Sequence, residues 1–186
     1  MKHHVIWLDS VDSTNDEAKR QIDSLMDMSV LAAHEQTSGR GQRGNTWLSS
    51  PGMNLTFSIV LKYGEGSFCD IRPADQSMIS QMISMTMVEL LSRYGIEAWI
   101  KLPNDIYVGD KKICGILIEH ALKGSSLLHT IVGVGLNVNQ RIFDPSLPNP
   151  TSMALEKGDS KFDLESLLVE LLDIFISKGT SERFFY

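Results

Sequence analysis

Cysteine is scarce in this chain, with only Cys69 and Cys114 among 186 residues. Two thiols, one of them in a stretch that reads as a buried strand, make no disulfide framework, so reduced thiols in a cytoplasmic protein are expected. No apolar run is long enough to span a membrane, and residues 5–9 are too short for the apolar core of a signal peptide. Positive charge is in deficit: 17 Lys and Arg stand against 23 Asp and Glu, a formal net charge of −6. That balance argues against a nucleic-acid-binding surface beyond a local basic patch. Internal repeats and low-complexity tracts are absent. What remains, 42% hydrophobic and 22% charged residues, is ordinary for a soluble globular protein of one domain with a substantial core.

Residues 5–8 read as a short strand. Ser13 and Asp16 stand at capping-box spacing, and Ala18, Ile22, Leu25 and Met26 follow at helical period, which predicts an amphipathic helix over 14–27. Residues 29–35 and 54–62 read as strands. Pro73 can open a helix whose apolar face, Met78, Ile79, Met82, Ile83 and Leu90, runs to about Arg93; its methionines are core filler. Strands follow at 96–100, 106–108, 113–118 and 128–139, the middle two joined by the Gly109-Asp110-Lys111 hairpin loop. Residues 140–162 carry three prolines and read as irregular surface. Ser160 and Asp163 resemble a second capping box before Leu164, Leu167, Leu168, Leu171, Leu172 and Phe175, the spacing of a core-facing helix. Hairpins with helices, lacking strict βαβ alternation, predict an α+β fold: a mixed, mostly antiparallel sheet backed by helices.

Three polar constellations interrupt this pattern. Residues 101–119 set Lys101, Asn104, Asp105 and Lys112 around two short strands, with Gly115 inside the second. Ordinary core chemistry does not ask for such a mouth, and a strand glycine suggests close approach of a ligand or backbone. Residues 35–47 interleave Gly39, Gly41 and Gly44 with Arg40 and Arg43. Amides freed by glycine, together with planar guanidinium donors, suit a carboxylate or phosphate. This is neither a P-loop nor a dinucleotide fingerprint, and a mobile loop with two solvated arginines fits the composition equally. In residues 131–139, Gly133 and Gly135 leave one strand face bare, room for a flat ligand or a neighbouring backbone. Asn137 and Asn139 share a side if the strand continues; a bulge and turn is the alternative. His120 and His129 lack ligand spacing, so no metal site is assigned.

In this order, Asp12-Ser13-Thr14-Asn15, Gly39-Arg40-Gly41-Gln42-Arg43-Gly44, Lys101-Leu102-Pro103-Asn104-Asp105, residues 111–119 and Gly133-Val134-Gly135-Leu136-Asn137 resemble the catalytic domain of biotin protein ligases, also called biotin–[acetyl-CoA-carboxylase] ligases. The resemblance runs from about residue 5 to 140, with a compatible helix to about 178. It implies the fold shared with class II aminoacyl-tRNA synthetases and one catalytic domain over residues 1–180. It implies a ligase that joins biotin to ATP, giving biotinyl-5′-AMP and pyrophosphate, then passes biotin to a lysine of a biotin carboxyl carrier domain. Mg²⁺ would accompany the ATP. A cytoplasmic setting follows, with neither DNA nor membrane as partner, and homodimers occur among such proteins.

By the same resemblance, Ser13, Thr14 and Gln36 would contact the ureido head of biotin, the helix start supplying hydroxyls and free amides. Arg40 would hold the activated carboxylate and the phosphate, while residues 39–46, Gly41 among them, order over the adenylate and exclude water. Gly115 would make room for the biotin carboxyl end. Lys112 would bring that carboxylate and the α-phosphate together, and Asp105 would assist deprotonation of the acceptor lysine. Arg40, Arg43, Trp47, Asn104, Lys112 and Asn137 would serve the nucleotide, with Lys101 an internal ion-pair partner. The chain departs from the pattern at Gln42 and Asn45, where arginine is common, and at Leu102, where tryptophan is frequent. The lost charges imply looser retention of the adenylate. By this resemblance the helix-turn-helix of the repressor form is not expected before Val5, and the small β-barrel that follows the catalytic domain in relatives is expected to be absent or truncated after Phe184-Phe185-Tyr186. A lipoate or octanoate ligase or transferase of the same architecture is the enzymatic alternative, although its Arg-Arg/Ser-Gly-Gly-Gly loop is missing here. A non-catalytic biotin-binding remnant is the other, and Lys112, Arg40 and Asp105 argue against it.

Overall fold

Residues 55–61 are apolar or small at nearly every position, and β3 (Leu55–Lys62) is buried along almost its whole length. Such a strand needs neighbours on both edges and cover on both faces. In the computed structural model, which describes residues 4–68, 71, 73–158 and 160–180, it has them. Cys69 and the aromatic end Phe184-Phe185-Tyr186 lie outside the described residues. Around β3, β1 (Val5–Val11), β2 (Val30–Gln36), β4 (Trp99–Lys101), β5 (Asp105–Val108), β6 (Lys111–Lys123) and β7 (Ser126–Leu136) complete a seven-stranded sheet. Its order is β1-β2-β3-β7-β6-β5-β4. Only β1 and β2 run parallel; every other pair is antiparallel. The mixed, mostly antiparallel sheet backed by helices is the architecture that the hairpin signals predict.

The two faces are covered unequally. Helices α2 (Ser77–Arg93) and α4 (Leu164–Gly179) pack together on one face. Their buried stripes, including Ile83, Met87, Leu90, Leu168, Leu171 and Phe175, join Phe57, Ile59 and Val132 in the main core. Each such side chain contributes roughly 1.5–3 kcal/mol when fully buried. On the opposite face α1 (Thr14–Arg20) covers a smaller cluster of Ala18, Leu25, Leu31, Val60 and Ile131. The thin cover on that side leaves room for a cleft between α1, the end of β2 and the β6–β7 hairpin.

Several boundaries differ from the pattern. The first helix stops at Arg20 rather than residue 27; residues beyond it continue as turns, with Leu25 N–H bonded to the Gln21 carbonyl at 3.1 Å. Those turns still bring Leu25 to the core, so apolar spacing is satisfied without a continuous helix. Ser13 sits at the N-cap position but makes no capping bond, so the first capping box does not form. The second is also absent: Asp163 is itself the N-cap of α4 and accepts from Ser166 N–H at 2.8 Å. Within 140–162, Ser152 caps a single turn, α3 (Met153–Glu156), which buries Met153 and Ala154. β6 and β7 extend beyond their apolar segments because each supplies the other's hydrogen bonds out to the Lys123–Ser126 pair. β7 ends at Leu136, so Asn137 and Asn139 do not continue its alternation.

Candidate active site

In the β6–β7 register Gly115 lies opposite Gly135, and the indole of Trp47 covers this bare patch. A Cβ on Gly135 would fall 2.3 Å from Trp47 Cε2, and one on Gly115 would fall 2.9 Å from Trp47 Cζ3. Gly133 serves a different neighbour, since its Cβ would collide with the Asn15 side-chain oxygen at 2.2 Å. The glycines thus admit two side chains of this protein, a tryptophan and an asparagine. Glycine loop 37–47 delivers the tryptophan by pairing with itself. Gly41 N–H meets the Asn45 carbonyl at 2.7 Å, and Trp47 N–H meets the Gly39 carbonyl at 2.8 Å. Arg43 at its tip has a left-handed backbone, φ 55°.

Beneath Trp47 lies a narrow cleft lined by Ser13, Thr14, Gln36, Arg40, Asp105 and Lys112, with Gly41 and Gly115 also in its wall. On the other side of Trp47 an open cavity of about 330 Å³ is lined by Asn45, Lys112, Asn137, Leu147, Pro148 and Pro150. Lys112 borders both. Its backbone pairs with the proline-rich segment, accepting from Thr151 N–H at 2.9 Å and donating to the Asn149 carbonyl at 2.8 Å. Its ammonium lies 2.8 Å from the Asp105 carboxylate and 5.9 Å from the Trp47 ring centre. Two polar atoms here are buried without a partner: Trp47 Nε1 and Asn137 Oδ1. The Asn137 amide nitrogen donates to the Thr151 carbonyl at 2.9 Å, so only its oxygen is left over.

At the head of the cleft, Gln36 Oε1 accepts from Thr14 N–H at 2.8 Å and lies 3.1 Å from the Thr14 hydroxyl. Ser13 N–H donates to Asp12. The amides of Ser13 and Thr14 are therefore occupied rather than free, contrary to the expectation for these two residues. Arg40 donates through Nη2 alone, to Asp16 at 2.8 Å and to both oxygens of Glu119 at 2.8 and 3.0 Å. Burial by itself would lower the guanidinium pKa, but Glu119 and Asp16 raise it above its ordinary value. Its Nε and Nη1 have no bond to any described residue and stay available.

Not every expected residue lines the cleft. Arg43 is exposed and lines neither cavity. Asn104 is buried and spends its amide on the Ile116 carbonyl, bracing β6 behind Gly115. Lys101 forms no ion pair with any described residue; its ammonium lies 4.4 Å from the Tyr107 ring centre. Sequence reasoning gave no role to Asn15, Ser58 or Glu119. The signal for Ser58 was a hydroxyl in a central strand that is otherwise apolar from 55 to 61 apart from Thr56. Glu119 and Asn15 lay inside quoted motifs, yet their meeting across the sheet left no local mark.

No helix among the described residues is long and apolar enough to cross a membrane. Among the same residues no three His, Cys, Asp or Glu side chains gather to hold a metal ion.

The model of the biotin/lipoate A/B protein ligase family matches residues 7–137. The chain is similar to the bifunctional ligase/repressor BirA of Escherichia coli, 31% identical over 169 residues that cover 90% of this chain and 51% of that protein. It is also similar to the chloroplastic biotin–protein ligase 1 of Arabidopsis thaliana, 32% identical over 187 residues, covering 97% of this chain and 47% of that one. Among solved structures, the biotin protein ligase from Aquifex aeolicus in complex with biotin and ATP superposes with a TM-score of 0.77 at 28% identity, covering 95% of this chain and 70% of that chain. The chain thus spans about half the length of these curated relatives. Its matched region takes in α1, the arginine loop and both site strands, and the chain belongs to the biotin/lipoate A/B protein ligase family.

Proposed function

We propose that this chain activates biotin with ATP to biotinyl-5′-AMP, releasing pyrophosphate, and transfers the biotinyl group to a lysine of a biotin carboxyl carrier domain. The observation that carries this reading is the position of Lys112, whose side chain borders both the polar cleft and the neighbouring cavity. A two-substrate adenylation needs one cation at the junction, because a carboxylate and a triphosphate repel each other. In step one the biotin carboxylate oxygen attacks the α-phosphorus and pyrophosphate leaves. In step two the neutral acceptor amine attacks the acyl carbon, AMP leaves and the amine loses its proton. Lys112 stabilises charge in the first step. Asp105, 2.8 Å from Lys112, is the base that we assign to the proton released in the second.

The remaining residues take supporting roles. Thr14, Ser13 and Gln36 hold the ureido head, Gly115 clears the acyl end, and Trp47 separates head cleft from nucleotide cavity. Arg40, anchored through Nη2, offers Nε and Nη1 to the acyl phosphate. Asn137 Oδ1, buried and unpaired, faces the nucleotide side. Arg43 reaches the nucleotide only if the loop tip moves, and Asn104 acts through β6. Mg²⁺ enters with the triphosphate as part of the substrate. We place the reaction in the cytoplasm, within one catalytic unit over residues 1–180.

Lipoate or octanoate is the competing acid. A polar head site of hydroxyls and an amide suits a ureido ring, which both donates and accepts; a dithiolane or an alkyl tail would leave those groups unpaired. Pyrophosphate exchange into ATP, dependent on biotin and indifferent to lipoate, is the expected result. Exchange with lipoate alone would overturn the choice of acid. Biotin binding with no exchange would identify a non-catalytic binder.

A further inference from the structure

Behind the cleft head runs a chain of buried polar groups that none of the roles above requires. Ser58 is fully buried on β3, and Asn15 is 3% exposed on α1. The Ser58 hydroxyl lies 2.8 Å from the Thr14 hydroxyl and 2.6 Å from Asn15 Oδ1. Asn15 Nδ2 reaches the Leu117 carbonyl at 3.3 Å and Glu119 Oε2 at 2.9 Å. Glu119 also receives Lys19 Nζ at 2.7 Å and Arg40 Nη2 at 2.8 Å. Gly133 makes the arrangement fit, because any side chain there would strike the Asn15 amide.

The protons in this chain can be counted. Both neighbours of Asn15 Nδ2 are pure acceptors, so the amide is oriented with its nitrogen toward Glu119 and its oxygen toward Ser58. An amide oxygen only accepts, so the single Ser58 proton goes to Asn15. The Thr14 proton has two acceptors in reach, Ser58 Oγ at 2.8 Å and Gln36 Oε1 at 3.1 Å, and the shorter contact takes it. Gln36 Oε1 keeps the Thr14 backbone N–H as its donor. Every bond therefore points the same way, Thr14 to Ser58 to Asn15 to Glu119, and ends on an anion. Bonds aligned in this manner polarise one another. The Thr14 oxygen, its proton directed inward, turns lone pairs to the cleft.

We propose that Glu119, acting through Asn15 and Ser58, is a positioning residue that fixes the Thr14 hydroxyl as an acceptor for a ligand N–H and anchors the Arg40 loop with the same carboxylate. The inference rests on the biotin-binding reading, in which the ureido N–H groups supply the donor. It ties recognition of the head group to placement of the loop that covers the acyl end. Asn15→Ala and Ser58→Ala cut the relay but leave the Glu119–Arg40 ion pair standing; Glu119→Gln weakens both.

Calorimetric titration of biotin into the intact chain tests this as a double-mutant cycle. Asn15→Ala and Thr14→Val should each weaken biotin binding by about ten-fold, the worth of one well-placed hydrogen bond. The double variant should be no weaker than Thr14→Val alone, because the relay acts only through that hydroxyl. Ser58→Ala, which removes one oxygen and disturbs packing least, should repeat the behaviour of Asn15→Ala and stands in for it if that variant does not fold. Glu119→Gln should add a loss of biotin-dependent protection of the 39–47 loop from proteolysis, which Ser58→Ala should retain. Independent penalties that multiply in the double variant would overturn the relay while leaving the biotin reading intact. Failure of the unaltered protein to bind biotin would overturn both.

Discussion

The ammonium of Lys112 lies 2.8 Å from the carboxylate of Asp105, joining the start of β6 to the start of β5 at the edge of the cleft. The two groups are only seven positions apart, but the hairpin turn at Gly109 is what faces them toward each other. Their pairing keeps a cation and its counter-charge at the junction of the cleft and the neighbouring cavity.

Removing either partner should affect the two half-reactions differently. Lys112→Ala should slow biotin-dependent pyrophosphate exchange by about 10²–10³-fold, the usual cost of losing one electrostatic stabiliser. Asp105→Asn should slow transfer from preformed adenylate to a carrier lysine by about 10²-fold and exchange by much less. Single-turnover transfer measured beside exchange separates them. Equal losses in both steps for Asp105→Asn would remove it from the role of base.

Gly135→Ala should displace Trp47. The new Cβ would stand 2.3 Å from the indole, too close for the ring to stay. A destabilisation of about 1–3 kcal/mol is expected for such overpacking, with a red-shifted tryptophan emission as the ring leaves the strands. Urea unfolding and fluorescence report the two effects. An unshifted spectrum with full stability would mean that Trp47 does not rest on Gly135.

Cys114 should resist thiol reagents. It is fully buried on β6, and burial pushes its thiol pKa up, Lys112 nearby opposing only in part. Thiolate is the reactive form, so alkylation of the Cys114 peptide at mildly alkaline pH should follow unfolding by urea. Modification at the rate of a free thiol in the folded protein would contradict this placement.

The Glu119 cluster gives stability a defined acid limit. Burial tends to raise the Glu119 carboxyl, but Lys19, Asn15 and Arg40 outweigh it and hold its pKa below the ordinary value of 4.5. A depressed folded-state pKa means that the unfolded chain takes up the proton first. The contribution is therefore complete above about pH 4.5 and is lost as pH falls below it, through the folded-state value. The gap in urea midpoint between the unaltered protein and Glu119→Gln should be widest near neutrality and should shrink on acidification. A gap that widened toward low pH would reverse the sign assigned to this group.

Much of the architecture was legible locally. Apolar period placed α2 and α4 and the strands of the sheet, and the five motifs pointed to one family before any contact was known. Element ends were harder to read: the first helix stops at Arg20 although Ile22, Leu25 and Met26 keep its period. Turns satisfy that spacing equally well, so period alone cannot say where regular hydrogen bonding ends. The glycines of β7 were read as making room for a flat ligand or a neighbouring backbone, but the room is filled by two side chains, Asn15 and Trp47.

Local order along the chain was enough to specify strands, helices and the polar motifs between them, because propensity, alternation and turn chemistry act over a few residues. Packing alone decides that Asn15 meets Glu119, 104 positions away. The same holds for the placing of Lys112 at the border of both cavities beside Trp47 and for the carboxylates that hold Arg40. Those relationships depend on sheet register and on which face a short helix covers, and both are set by burial of the whole core.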